Sequence, residues 1–178
     1  TTRCRPCSAP YPGNAPGCSH QETDKREFQV ETARALGVEP GPKYGKLQSG
    51  HPVETDDGGT VAPDDVLSEP KPGRKIVYTG DTRPSSGVVD AASNASLLVY
   101  SAMFTDRASE RAHSTGHSTA REAGQVAAAS GTDRLWLTHI SPRHEGEEQK
   151  LEAQASAAFE GPVVTVRDGD STEVTQSR

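Results

Sequence analysis

Three short apolar runs constrain this chain more than any other feature: Lys75-Ile76-Val77-Tyr78-Thr79, Leu97-Leu98-Val99-Tyr100 and Leu135-Trp136-Leu137-Thr138. Each is too short for a helix and rich in branched or aromatic side chains, so each reads as a buried strand. Helical patterns separate them. A short helix is expected from Val88 to Ser93. A longer one is expected from Thr119 to Ser130, where Thr119-x-x-Glu122 forms a capping box. Its stripe is Ala120, Ala123, Val126 and Ala127, and Gly131 stops it. An Ala- and Glu-rich helix follows from Glu147 to Phe159, then a strand from Val163 to Val166. Asp168-Gly169-Asp170 is expected to turn into a final short strand. Alternating strands and helices predict an α/β layer over residues 73–178.

The chain upstream is different. Pro10, Pro12, Gly13, Pro16 and Gly17 crowd residues 1–24, which predicts loop or disorder there. Phe28, Ala33 and Leu36 share a helical face that Gly37 would end. Pro40-Gly41-Pro42 is barred from a helix interior. Val53 to Val61, around Asp57-Gly58-Gly59, reads as a hairpin. Glu69-Pro70-Lys71-Pro72-Gly73 reads as a linker, which leaves 25–72 as a separate segment.

Hydrophobic residues make up only 31% of the chain, so the core is lean. The net charge of −6 argues against RNA as a partner unless a basic patch is local. No apolar run is long enough to span a membrane, and no apolar leader segment occurs, so the expected location is the cytoplasm. Cys4-x-x-Cys7 with Cys18-x-His20 is a candidate zinc-ligand set of non-standard spacing; the alternative is reduced thiols in an open tail.

Polar residues follow the ends of the strands: Asp81 after the first, Ser101 after the second, His139 after the third. Ligands of α/β sheets bind outside the carboxyl ends of strands. A carboxylate and an imidazole suit Zn²⁺ or Mn²⁺. His117 precedes the capping box of the long helix, where backbone N–H groups and the dipole favour anions such as phosphate. Taken singly, Gly80-Asp81-Thr82 also reads as a turn with an Asx hydrogen bond, and His139 as a surface histidine.

The motifs together carry more. Gly73-Arg74-Lys75-Ile76-Val77-Tyr78-Thr79-Gly80-Asp81-Thr82-Arg83-Pro84, Gly116-His117-Ser118-Thr119-Ala120-Arg121-Glu122-Ala123 and Leu135-Trp136-Leu137-Thr138-His139-Ile140-Ser141-Pro142-Arg143 resemble, in order, three motifs of ribonuclease Z. Gly37-Val38-Glu39-Pro40-Gly41-Pro42-Lys43-Tyr44-Gly45-Lys46-Leu47 resembles the Gly-Pro segment of that family's tRNA-holding arm. The resemblance covers about residues 25–174. It implies the C-terminal half of a metallo-β-lactamase αββα fold, with a protruding, flexible arm over 25–72, in a zinc-dependent endonuclease that trims the 3′ end of precursor tRNA.

By the same resemblance Asp81 is a bridging metal ligand and His139 a terminal one. Two Zn²⁺ ions, or Mn²⁺ in their place, are implied. His117 is the catalytic residue that stabilises the phosphate or protonates the leaving oxygen, and Gly41, Pro42, Lys43 and Lys46 grip tRNA. Homodimerisation is implied as well. The family's His-x-His-x-Asp-His cluster does not occur in this sequence, so a chain supplying that half is an expected partner and cleavage by this chain alone is not expected. The family's His-Glu-Ala-Thr-Phe segment aligns with Tyr100-Ser101-Ala102-Met103-Phe104, which suggests drift on that side of the site. The competing readings are a non-catalytic tRNA-binding remnant, a fragment of another hydrolase of the fold, and a small Cys/His zinc module at residues 4–20.

Overall fold

The apolar runs align side by side because each offers backbone donors and acceptors on both edges, and burial leaves those groups no partner but a neighbouring strand. A computed structural model describes residues 3–7 and 17–175. In chain order the elements begin β1 (Arg3–Cys7), β2 (Gly17–Gln21), α1 (Val30–Ala35), α2 (Pro42–Gln48), β3 (Val53–Glu54), β4 (Thr60–Val61) and α3 (Pro63–Val66). They continue β5 (Lys75–Tyr78), α4 (Ser86–Ala92), β6 (Leu97–Ser101), α5 (Ser109–Ser114), α6 (Ala120–Ser130), β7 (Leu135–Thr138), α7 (Glu148–Ser156) and β8 (Val163–Thr165). The chain divides into two units: residues 1–23 with 73–178, and residues 24–72.

The larger unit is built on a six-stranded sheet in the order β1-β2-β5-β6-β7-β8. Strands β5 to β8 pair in parallel. Parallel neighbours require crossovers, and helices supply them. Strand alternation then sorts the side chains. Val77, Leu98, Tyr100, Leu135 and Leu137 face Val88, Ala92, Ala123, Val126, Ala127, Leu151, Ala155 and Phe159 in the main core. The alternate residues point the other way, and on that face Tyr78 and Val164 are each 44% exposed. A parallel sheet is ordinarily covered on both faces.

Local chemistry shapes the helices. At the start of α6 the Thr119 hydroxyl accepts from the Glu122 amide at 3.3 Å, and the Glu122 carboxylate accepts from the Thr119 amide at 2.8 Å. Gly131 closes the helix with φ 65°, a left-handed conformation glycine adopts without strain. Gly124 lets α6 lie against the Ala155 backbone of α7; a methyl group there would meet the Ala155 carbonyl oxygen at 2.3 Å.

Two expectations need correction. Gly17–Gln21, expected in an open segment, is a strand paired antiparallel with β5. The outer edge of β5 must find hydrogen-bond partners, and the distant pairing overrides a turn-rich local composition. No strand follows Asp168-Gly169-Asp170 among the described residues. Short helices form at Pro42–Gln48 and Pro63–Val66, each opening on a proline, which is tolerated at a first helical position. The side chains of Cys4 and Cys7 lie outside the described residues.

The smaller unit has its own core of Ala33, Val38, Leu47, Val53, Val61 and Val66, with Phe28 and Tyr44 packed against it. The two rings stand 4.6 Å apart between centroids. Val53 and Glu54 pair with Val61 and Thr60 in the expected hairpin. Bridges Lys25 to Lys71 and Phe28 to Leu67 tie the two ends of the segment together. Arg26 braces them, donating to the Ser68 carbonyl at 2.7 Å and to Asp64 at 2.6 Å.

Candidate metal centre

The parallel strands end on one edge of the sheet, and the loops leaving them carry the polar residues. After β5 the chain turns at Gly80, with φ 62°, and presents Asp81. After β7 the next residue is His139, itself at φ 57°. That conformation is uncommon for a side-chain-bearing residue, although histidine is among the types enriched there. It turns the backbone so that the imidazole lies next to Asp81.

His117 comes from the loop between α5 and α6. Its amide donates to the Ala112 carbonyl at 2.8 Å, which fixes the loop to α5. The Ala120 amide donates to the Phe104 carbonyl at 2.9 Å, which fixes it to the segment after β6.

These three loops bring Asp81, His117 and His139 together, with one ligand atom from each lying within 4.8 Å of the other two. His139 Nδ1 is 2.8 Å from Asp81 Oδ1. The Ser101 hydroxyl is 3.1 Å from both of those atoms. The His117 and His139 rings stand 5.3 Å apart between centroids. His117 Nδ1 is buried with no hydrogen-bond partner. A buried polar atom left unpaired is costly, and a bound ion or water or a catalytic role is among the reasons native proteins retain one.

One carboxylate and two imidazoles form a donor set suited to Zn²⁺ or Mn²⁺. The residues present therefore fit a divalent metal, and the orphaned His117 nitrogen is the observation that favours an additional partner. Beside His139 a cleft of about 360 Å³ opens, lined in part by His144, Glu148 and Arg167. Arg167 is paired with Glu148 there, so the cleft is not a bare cationic surface.

The four candidate RNA-binding residues lie in the smaller unit. Gly41 caps α2, Pro42 opens it, and Lys46 sits in its last turn. Lys43 is paired with Asp56 at 2.8 Å. Lys43 and Lys46 line one cleft together with Glu54 and Asp56.

Three residues around the group were not assigned a role from sequence: Tyr100, Ser101 and Ser118. Tyr100 and Ser118 are 0% exposed and Ser101 1%. The Ser118 hydroxyl donates to the Thr82 carbonyl at 2.7 Å and lies 3.1 Å from the Tyr100 hydroxyl. Burial pushes the Tyr100 hydroxyl well above the ordinary tyrosine range. A position at a strand end and the alignment of Tyr100-Ser101 with the family's His-Glu were the available signals for Tyr100 and Ser101, and adjacency to His117 in its motif was the one for Ser118.

No family model matches the chain. It is 49% identical over 162 residues to the ribonuclease Z of Myxococcus xanthus, a match covering 90% of this chain and 53% of that protein. It is 48% identical over 155 residues to the ribonuclease Z of Halorubrum lacusprofundi, covering 86% of this chain and 50% of that one. Among solved structures it resembles the metallo-β-lactamase fold protein YhfI from Bacillus subtilis, with 30% identity and a TM-score of 0.50, over 55% of this chain and 39% of that chain. The chain spans about half the length of the curated relatives it matches.

Proposed function

We propose, for a chain that belongs to the ribonuclease Z family and carries part of the metallo-β-lactamase fold, that it provides one side of a tRNA 3′-processing endoribonuclease site. The convergence of Asp81, His117 and His139 at the ends of the parallel strands is the observation that carries this reading.

Asp81 and His139 are the residues that would hold the metal, Zn²⁺ or Mn²⁺ by donor type. When bound, the metal supplies Lewis acidity toward the phosphoryl oxygens and activates the attacking water. The chain's own chemistry lies at His117. As water attacks phosphorus, the bond from phosphorus to the leaving ribose oxygen breaks, and that oxygen takes a proton from the His117 ring. General acid catalysis of this type contributes about 10²–10⁴-fold. The amino end of α6 adjoins His117 and favours the negative charge of the phosphate.

Lys43 and Lys46, beside Gly41 and Pro42, are the proposed tRNA contacts, a local answer to a net charge of −6. A cytoplasmic homodimer is the proposed setting. Ligands beyond Asp81 and His139 come, in this reading, from the half of the relatives that this chain does not span.

The test is reconstitution. The chain is mixed with the complementary half of the Myxococcus xanthus relative and assayed on a precursor tRNA with a 3′ trailer. Metal-dependent trailer release by the mixture, abolished by Asp81→Ala and reduced at least 100-fold by His117→Ala, is expected. Full trailer release by the Asp81→Ala or His117→Ala mixture overturns the site. Robust cleavage by this chain without the complementary half overturns the shared-site reading. Charge reversal at Lys43 and Lys46 is expected to weaken tRNA binding and flatten its salt dependence by about one to two slope units; unchanged binding overturns the arm assignment.

A further inference from the structure

We infer that Tyr100 and Ser101, consecutive residues at the end of β6, are positioning residues that hold Asp81, His117 and His139 in register from the two faces of the sheet. The inference rests on the metal reading above for its consequence, but its geometry stands without it.

Strand alternation sends neighbouring side chains to opposite faces. Ser101 points to the side of Asp81 and His139. Its hydroxyl has one proton, and the acceptor 3.1 Å away is Asp81 Oδ1. The same oxygen has lone pairs left, and His139 Nδ1 lies 3.1 Å from it. Nδ1 thus faces two acceptors, the Ser101 oxygen and the Asp81 carboxylate at 2.8 Å. Both stabilise a proton on Nδ1, which leaves the lone pair on Nε2. A histidine whose second nitrogen is held this way is a better oriented ligand. Ser101 can keep hold of the Nδ1 proton when Asp81 turns its charge toward a cation; Asp81 by itself cannot serve both purposes as well.

Tyr100 points to the helix face and is 0% exposed. Ser118 spends its single proton on the Thr82 carbonyl, so the Tyr100 hydroxyl donates to Ser118. The relay Tyr100 to Ser118 to Thr82 links the immediate chain neighbours of His117 and Asp81. Ser118 therefore couples the loop before α6 to the loop after β5, and Tyr100 anchors that coupling to β6. Alignment with the family's His-Glu suggested drift at these two positions; the geometry assigns them a hydrogen-bonding task of their own.

The experiment uses the full chain, labelled with ¹⁵N, and compares Ser101→Ala, Ser101→Thr and Tyr100→Phe with the parent. Histidine ring spectra are recorded without metal, then during a Zn²⁺ titration, with thermal melting to establish folding. Without metal, the parent is expected to show His139 as a single Nδ1–H tautomer. Ser101→Ala is expected to give a tautomer mixture and Ser101→Thr to restore the single form. Tyr100→Phe is expected to shift or broaden the His117 ring signals. In the titration, Ser101→Ala and Tyr100→Phe are each expected to weaken Zn²⁺ binding by about tenfold or more, with Ser101→Thr close to the parent. Parent-like ring spectra in folded Ser101→Ala overturn the role of Ser101, and parent-like His117 signals in folded Tyr100→Phe overturn that of Tyr100. Absence of Zn²⁺ binding by the parent counts against the metal reading alone, because the metal-free spectra still decide the inference.

Discussion

Gly124→Ala would place a methyl carbon 2.3 Å from the Ala155 carbonyl oxygen and 3.0 Å from its Cα. Carbon makes comfortable contact only beyond about 3.4 Å, so α6 and α7 must separate by about 1 Å or bend. Overpacking of this type costs about 1–3 kcal/mol. The substitution also improves helix propensity by about 1 kcal/mol. The clash is with backbone, which has no rotamer to escape into, so the upper part of the range applies and the net loss is about 1–2 kcal/mol. Gly87→Ala in α4 is the control. Its added methyl meets nothing within 4 Å, so only the backbone term remains, and a gain of about 0.4–1 kcal/mol is expected. For a chain of this length the melting temperature should fall by about 2–8 °C in the first variant and rise by about 1–4 °C in the second. Differential scanning calorimetry and urea titration would measure both. A Gly124→Ala protein melting at or above the parent would refute the claim that close helix packing, not turn chemistry, requires this glycine.

Thr119→Ala removes one half of the capping box of α6 and should cost about 1 kcal/mol, with Thr119→Ser recovering most of it; urea midpoints report the difference. Because burial raises the Tyr100 pKa in the folded state, folded protein binds more protons than unfolded protein above about pH 10. Stability is therefore fully present below that pH and falls as pH rises, by up to about 1.4 kcal/mol per unit for this group. Urea titrations at stepped pH should show a shallower alkaline decline in Tyr100→Phe, and parallel slopes would count against the assignment. Arg26→Ala should loosen the smaller unit by about 1–2 kcal/mol, since it leaves the Ser68 carbonyl and Asp64 without their donor. Amide exchange at residues 25–29 and 66–71 should quicken, and Arg26→Lys should not restore it, because lysine lacks the guanidinium fork.

Much of the larger unit was legible residue by residue. Strands β5, β6 and β7 and helix α6 lie where the apolar runs and the Thr119-x-x-Glu122 box put them, to within a residue or two. Those signals are local: a run of branched side chains, a cap, a glycine stop. Strand β2 was not legible. Its prolines and glycines speak for loop, and what makes it a strand is the outer edge of β5, more than fifty residues away. Nor did Pro42 and Pro63 by themselves settle helix starts, since a proline suits the first position of a turn as well as of a helix.

Asp81, His117 and His139 could each be named from sequence as candidates, because strand ends and a helix cap are local features that a motif records. That they share one place depends on parallel registers such as Tyr78 against Val99 and Ser101 against Thr138, which set the three strand ends level. Sequence alone determined which chemical groups are available and on which local elements they ride. Tertiary structure decided which of them meet, which nitrogen of His139 is engaged, and that the unassuming pair Tyr100 and Ser101 braces the group. The physical reason is range: propensity and capping act within a few residues, whereas hydrogen bonds spanning eighteen to thirty-eight residues of chain exist only once the sheet has formed.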